Sequence, residues 1–570
     1  MITVPPSVPG AKSWQGALSA PWPLYDGLMP RTVFSRALPM LLLVTALFTF
    51  LIQSGELGTA DTTHRLQVSH SFWTEEPQVF PNEYPEFGLH GRGGRLYAWY
   101  GIGQSMLMLP ADLAGSAISH LPIWRAYAQS DEDPTIRNIL VSISTNVLIS
   151  VLTALAAFRM LGLLGFSTRE SVVGTLALLF ATTHLHYSQN MTENNYIFLL
   201  TITGFALQYK WLTTGDRRAL FWGSTVLGLN LLTRITTAMD VLGAVCFVLL
   251  AALFARRDGY FTTRESSETA DKMPDRRSFR TYLMTSLPIY GVFVVLDRLY
   301  QYVRFGSWTN TYVDVFAREQ RLMDRSLPAN FPFNRGWFQG GIDSGMIGPF
   351  LAPAKSIFLF DPMFLLALLV TILLWKRLTP AVRAFFGAGL VLLALYVAFY
   401  ARYNWWAGDF AWGDRYISSA VELNTLLAIP LLLRYREVLG RRVWALGLAI
   451  TGASVAIQCA SLAFWLPLEI YQMDAFGHHT WVVFLRFKNI AAFALGKRAA
   501  WGLNTPTMFV DPWDAMHITA WNFLPSLLRH VGAVPLWAVD VLYGVWFVVA
   551  VALVFASVRL IRSLRSDPTD

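Results

Sequence analysis

The stretch ALPMLLLVTALFTFLIQ, Ala37–Gln53, contains no charged residue. As a helix rising 1.5 Å per residue it approaches the roughly 30 Å of hydrocarbon in a bilayer. Runs of the same kind recur at Ile139–Ala157, Phe358–Trp375, Phe385–Tyr400 and Val443–Trp465. Hydrophobic residues make up 54% of the 570 and charged ones only 14%, where a soluble chain carries near a quarter charged. Mean hydropathy is +0.41. The expected fold is therefore all-α: a polytopic transmembrane helical bundle of about 12 spans, with interfacial helices in its external loops.

The first run follows Lys12, Arg31 and Arg36 and lacks a small-residue cleavage site, which reads as an uncleaved helix with its start inside the cell. Cys246 and Cys459 are the two cysteines, both inside apolar segments, so neither a disulfide framework nor a cysteine metal site is supported. The formal charge of +8 gathers at span ends, as membrane orientation alone requires, and nucleic acid is set aside as a partner.

Working outward with the positive-inside rule places 54–137 as the first external loop and the basic linker near 256–280 in the cytoplasm. The loop at about 303–354 and the segment 466–535 fall outside, and Arg559, Arg562 and Arg565 return inside, so both termini are cytoplasmic. The chain divides at about residue 435, into a module over 1–435 and C-terminal transmembrane helices over 436–570. Tyr97–Leu121 is apolar enough to insert but would break the charge parity. It is read as an interfacial helix, with Trp99 and Tyr100 at headgroup level.

Four places carry candidate chemistry. Asp61, about eight residues past the first membrane exit, starts a short amphipathic helix in SGELGTADTTHR; it is either a base at the bilayer surface or that helix's N-cap. In YNWWAGDFAWGDRY, Tyr403–Tyr416, Arg415 stands where an anionic headgroup would lie, unless it pairs with Asp409, Asp414 or bulk lipid phosphate. Lys355 follows a Gly- and Pro-rich turn and either binds phosphate or snorkels to the lipid surface. His184, His186, Glu193 and Arg234 fall at external helix ends, and His-X-His without a third ligand does not support a metal.

These residues resemble the GT-C superfamily of membrane glycosyltransferases that use polyprenyl-phosphate sugars, in particular bacterial members related to protein mannosyltransferases and the aminoarabinose transferase of lipid A. The resemblance rests on Asp61 and its helix, GRGGRLYAWYGIGQS (Gly91–Ser105) leading to Leu109-Pro110, APAKSIF around Lys355, and WWAGDFAWGDRY ending at Tyr416. HYSQNMTE (His186–Glu193) and LLTR (Leu231–Arg234) extend it to about residue 435. Asp61 is followed by Thr-Thr rather than by a second Asp two positions on, so the resemblance supplies no divalent-metal arrangement and no cofactor is expected.

The resemblance implies a sugar transfer from a polyprenyl-phosphate donor on the periplasmic face of the cytoplasmic (inner) membrane, with inversion. Asp61 would be the catalytic base, with Arg415, Lys355 and Arg234 on the donor phosphate. Tyr97, Tyr100, Trp405, Trp406 and Glu193 would line the sugar or lipid. The acceptor is open among protein, lipid and glycan. A transporter or flippase of lipid-linked substrates, and an O-antigen ligase or polymerase, are the competing readings.

Overall fold

Helices account for nearly all regular structure in the computed structural model, which describes residues 37–80, 88–122, 135–190, 193–257, 279–339, 344–408, 411–465, 468–469, 472–473, 477, 479–497, 520–531 and 534–566. Six of the described helices are long and apolar enough to cross a membrane: Ile136–Leu163, Ile235–Arg257, Phe279–Phe305, Pro380–Tyr400, Arg436–Ser461 and Leu536–Arg565. Ala37–Leu51 is apolar but shorter. The other helices near expected spans are shorter or more polar, among them Thr168–Phe180, Glu193–Thr214 and Pro362–Leu374. Glu193–Thr214 is buried along nearly its whole length. A helix walled by protein can carry Asn, Gln and Thr that a lipid-facing one cannot. Length and composition thus support about half of the expected dozen spans. Residues 258–278 of the linker near 256–280, and 498–519 with several shorter stretches of 466–535, lie outside the described residues.

Local rules explain the connections. Ser167 and Glu170 form a reciprocal capping box at the turn between Ile136–Leu163 and Thr168–Phe180, and Arg434 forks onto Glu170 at 3.0 and 2.5 Å. The main core interleaves aromatic rings: Phe205 and Phe247 stack at 5.6 Å and Phe385 meets both edge-on. The first and last described helices pack together, with Ala37, Leu41 and Val44 against Ala556 and Leu560.

The sequence reading of Tyr97–Leu121 as one helix needs correction. Leu96–Ala98 is a short strand, paired antiparallel with Gly88–His90, and the helix begins at Gly103. Gly101 explains the break. A Cβ there would stand 2.4 Å from the carbonyl oxygens of Leu232 and Thr233, so only glycine lets the chain pass that close before it turns into Gly103–Ser119. The hairpin is a small exception to the all-α expectation.

Candidate active site

Asp61 lies in the first turn of the helix Ala60–His70, but the N-cap is Thr59, whose side chain accepts from the Thr62 N–H. The capping alternative for Asp61 is therefore replaced. Both its carboxylate oxygens are used elsewhere: Tyr100 donates its hydroxyl to Oδ1 at 2.7 Å, and Arg415 Nη1 donates to Oδ2 at 2.9 Å. Gly58, at φ 81°, lets the entering loop lie against Asn190, whose Cα would be 2.7 Å from any added Cβ.

One helical turn on from Asp61, on the same face, is Arg65. Its guanidinium lies 4.3 Å from the centre of the Tyr100 ring and its Nη1 is 2.7 Å from Glu193 Oε2. Glu193, at the start of Glu193–Thr214, bridges to a second arginine, Arg234, which contacts the other carboxylate oxygen. Arg234 is the extended residue that ends Arg217–Thr233. Both Arg234 and Arg415 sit over the Tyr416 ring, at 5.1 and 5.3 Å. Tyr416 in turn stacks on Tyr400 at 4.2 Å and 7°. Asn194 fixes the backbone of Arg415 by donating to its carbonyl at 2.5 Å and to Ser418 Oγ at 2.8 Å.

Two carboxylates thus face three guanidiniums. All five side chains are mostly shielded from solvent, with Asp61 the most open at 19%. Burial by itself would raise the Asp61 pKa, but the charges of Arg415 and Arg65 and the hydrogen bonds from Tyr100 and Arg415 outweigh it and hold the carboxyl at about 2. Burial pulls Arg65 down to about 10, against the opposing charge of Asp61, so it stays cationic at neutral pH. These five side chains form a charged, partly desolvated cluster in which three cations face two anions, and a surplus positive charge of that kind favours an added anionic group.

Lys355 reaches the same segment from behind. Its Nζ donates to the carbonyls of Ala411 and Gly413 at 2.7 and 3.2 Å. It therefore braces the chain that carries Arg415. Burial pushes the Asp414 carboxyl up to about 7 despite the opposing charges of Lys355 and Arg415.

The structure thus brings Asp61, Tyr100, Glu193, Arg234 and Arg415 into one contact network. Tyr97 packs edge-on to Phe305 beside the hairpin turn. Trp405, 38% exposed, joins Phe316, Phe331 and Tyr403. Trp406 is buried against Gly348, which has room for no side chain. His184 and His186 separate: His184 Nδ1 is 3.3 Å from Glu422, while His186 stacks on Trp412. No cluster of three or more His, Cys, Asp or Glu able to hold a metal occurs among the described residues. Arg65, Asn194 and Tyr416 were missed as site residues. The four-residue spacing of Arg65 from Asp61 on a helix was a usable signal, whereas Asn194 and Tyr416 carried none.

No protein-family model and no curated protein matches this sequence. Among solved structures, the oligosaccharyltransferase of Archaeoglobus fulgidus in its apo form is similar with a TM-score of 0.41 and 11% identity, over 77% of this chain and 58% of that one. The same enzyme complexed with Zn and sulfate gives 0.39 and 12%, over 74% and 53%. The archaeal oligosaccharyltransferase AglB of that organism, with an inhibitory peptide and a dolichol-phosphate, gives 0.34 and 13%, over 74% and 55%. This chain spans a little over half the length of those proteins. Likeness at this level assigns it neither family nor activity.

Proposed function

We propose that this chain is a multi-pass membrane glycosyltransferase that moves a sugar from a polyprenyl-phosphate donor to an acceptor hydroxyl at the external face of the cytoplasmic membrane. The observation that carries the reading is the Asp61–Arg415 pair inside a buried cluster of three arginines and two carboxylates. A proton acceptor and an anion-binding fork stand side by side, as an inverting displacement on a sugar phosphate requires.

In that reaction the acceptor oxygen attacks the anomeric carbon while the bond from that carbon to the phosphate oxygen breaks. The electron pair leaves with the phosphate, and the hydroxyl proton passes to Asp61. A carboxyl held at about 2 is a weak base, so the resting pair is the inactive arrangement. When the donor phosphate takes Arg415, Asp61 loses that arginine's charge and hydrogen bond, keeping those of Arg65 and Tyr100, and becomes a stronger base as the leaving group becomes neutralised. Arg234 adds positive charge at the phosphate, Lys355 acts through the backbone of 411–413, and Tyr100 keeps the carboxylate aimed.

The carrier reading draws on the buried His184–Glu422 pair and on Asp240, which accepts from Tyr396 at 2.8 Å, since ionisable groups inside a bundle are typical of transporters. Asp240 lies in the first turn of Ala238–Arg257, the end at which Arg234 sits, and Glu422 lies one turn into Ser418–Thr425, the helix that follows Arg415. That supports a site at the membrane surface. Purified protein incubated with a radiolabelled polyprenyl-phosphate sugar and, separately, a polyprenyl-diphosphate glycan discriminates the classes. Transfer from the monophosphate donor supports the reading. Use of the diphosphate alone points to a ligase or polymerase, and movement of lipid-linked sugar across vesicles without transfer points to a carrier.

A further inference from the structure

The C-terminal helices sit outside the residues that suggested the function, yet one of their side chains reaches the segment that presents Arg415. Arg486, on the helix Val482–Ala494, has a fully buried side chain. Its Nε and Nη2 fork onto both oxygens of Glu469 at 2.6 and 2.5 Å, and its Nη1 donates to the carbonyls of Ser461 and Phe464 at 3.1 and 2.9 Å. Asn489 donates to Glu469 at 3.0 Å and exchanges hydrogen bonds with Gln472. Every polar atom of the guanidinium is occupied, and what it offers to the rest of the protein is its face. Trp412 lies against it, with the guanidinium carbon 5.3 Å from the ring centre.

Trp412 is 1% exposed and is held on further sides by His186, stacked at 5.7 Å, and by the edge of Phe360 at 4.9 Å. Its carbonyl accepts from the Tyr187 hydroxyl at 3.0 Å, and the carbonyls before and after it accept from Lys355. Three consecutive carbonyls are therefore tied by side chains from other elements, and the ring between them rests on Arg486. Three residues later comes the arginine that meets Asp61. With Gly413 at φ 71° and against Phe360, the path from the clamped ring to Arg415 is tightly set.

We propose that the buried Arg486–Glu469 pair is a positioning element for donor recognition, acting through Trp412 to hold Arg415 where it can exchange Asp61 for the donor phosphate. The inference rests on the function proposed above and extends the working site into the C-terminal part of the chain. A buried pair broken on one side destabilises, whereas replacement of both members by apolar residues is often tolerated. The tests are therefore Arg486→Lys, which keeps a charge but loses the planar fork, and the double variant Arg486→Met/Glu469→Leu.

Folded, monodisperse protein is compared with the parent for donor KM, kcat, binding of the sugar-free polyprenyl monophosphate, and pH profile. Loss of Arg415 alignment raises donor KM about tenfold or more, weakens polyprenyl-monophosphate binding equally, and moves the acid limb of activity to higher pH because Asp61 is less masked. A purely structural tie instead lowers the melting temperature and the active fraction while KM and the acid limb stay at parent values, and that result in both variants overturns the inference. Parent protein that turns over no polyprenyl-phosphate sugar overturns the function itself, a separable outcome read before any variant is made.

Discussion

Arg415 Nη1 donates to Asp61 Oδ2 at 2.9 Å although 354 positions separate the two residues. The pair joins the first turn of Ala60–His70 to the loop before Ser418–Thr425, so the candidate chemistry exists only in the folded bundle. Each partner masks the other. The arginine lacks a free face for phosphate while the carboxylate holds it, and the carboxylate is a poor base while the arginine holds it.

Asp61→Asn separates catalysis from support. Since Thr59 provides the cap, asparagine spares the helix start and removes the charge, the basicity and the ion pair to Arg415. Transfer is expected to fall roughly a hundredfold or more, the scale of general-base catalysis, with folding and donor binding retained. Full transfer by folded Asp61→Asn protein in detergent would refute the base role.

Arg415→Ala acts on both partners. Donor KM is expected to rise about tenfold to a hundredfold, the range of a charge-assisted hydrogen bond, and Arg415→Lys to recover only part of it. Without Arg415, the Asp61 pKa rises above about 2, so the acid limb of kcat/KM moves to higher pH. A KM and pH profile equal to the parent in Arg415→Ala would remove Arg415 from the site.

Acid stability follows from the same shift. The folded carboxyl titrates at about 2 against an ordinary value of 3.8, so the stabilisation is complete above about pH 4 and is lost as pH falls through 2. Its size is about 2 kcal/mol. Asp61→Asn should flatten that part of the denaturation curve between pH 4 and 2 and leave the rest unchanged; an unchanged acid slope counts against the ion pair in solution.

Glu193→Gln leaves Arg65 and Arg234 buried without their shared carboxylate. The expected cost is about 3 kcal/mol, seen as a lower melting temperature in detergent, together with weakened transfer. A melting temperature equal to the parent would mean that the two arginines find other partners.

Topology is testable by labelling. With native Cys246 and Cys459 replaced, a cysteine within Arg318–Asn334 is expected to react with an impermeant reagent in sealed cells and one at Ser267 is not. Reaction at Ser267 would invert the arrangement and place Asp61 on the cytoplasmic side.

Local pattern was enough for much of this. Uncharged runs such as Ala37–Leu51 became helices because a backbone in lipid must satisfy its own hydrogen bonds, and the apolar positions after Asp61 became the helix Ala60–His70. Asp61, Arg415, Glu193 and Arg234 were legible as charges at span ends, where charge is costly unless it is used. Tertiary structure alone decided their partners. Glu193 bridging two arginines, Lys355 turned onto backbone carbonyls, and Arg486 beneath Trp412 all depend on how distant helices pack. Helical periodicity constrains neighbours three or four positions apart, so Arg65 could be placed beside Asp61 from sequence, whereas Arg415 could be placed there only by the fold.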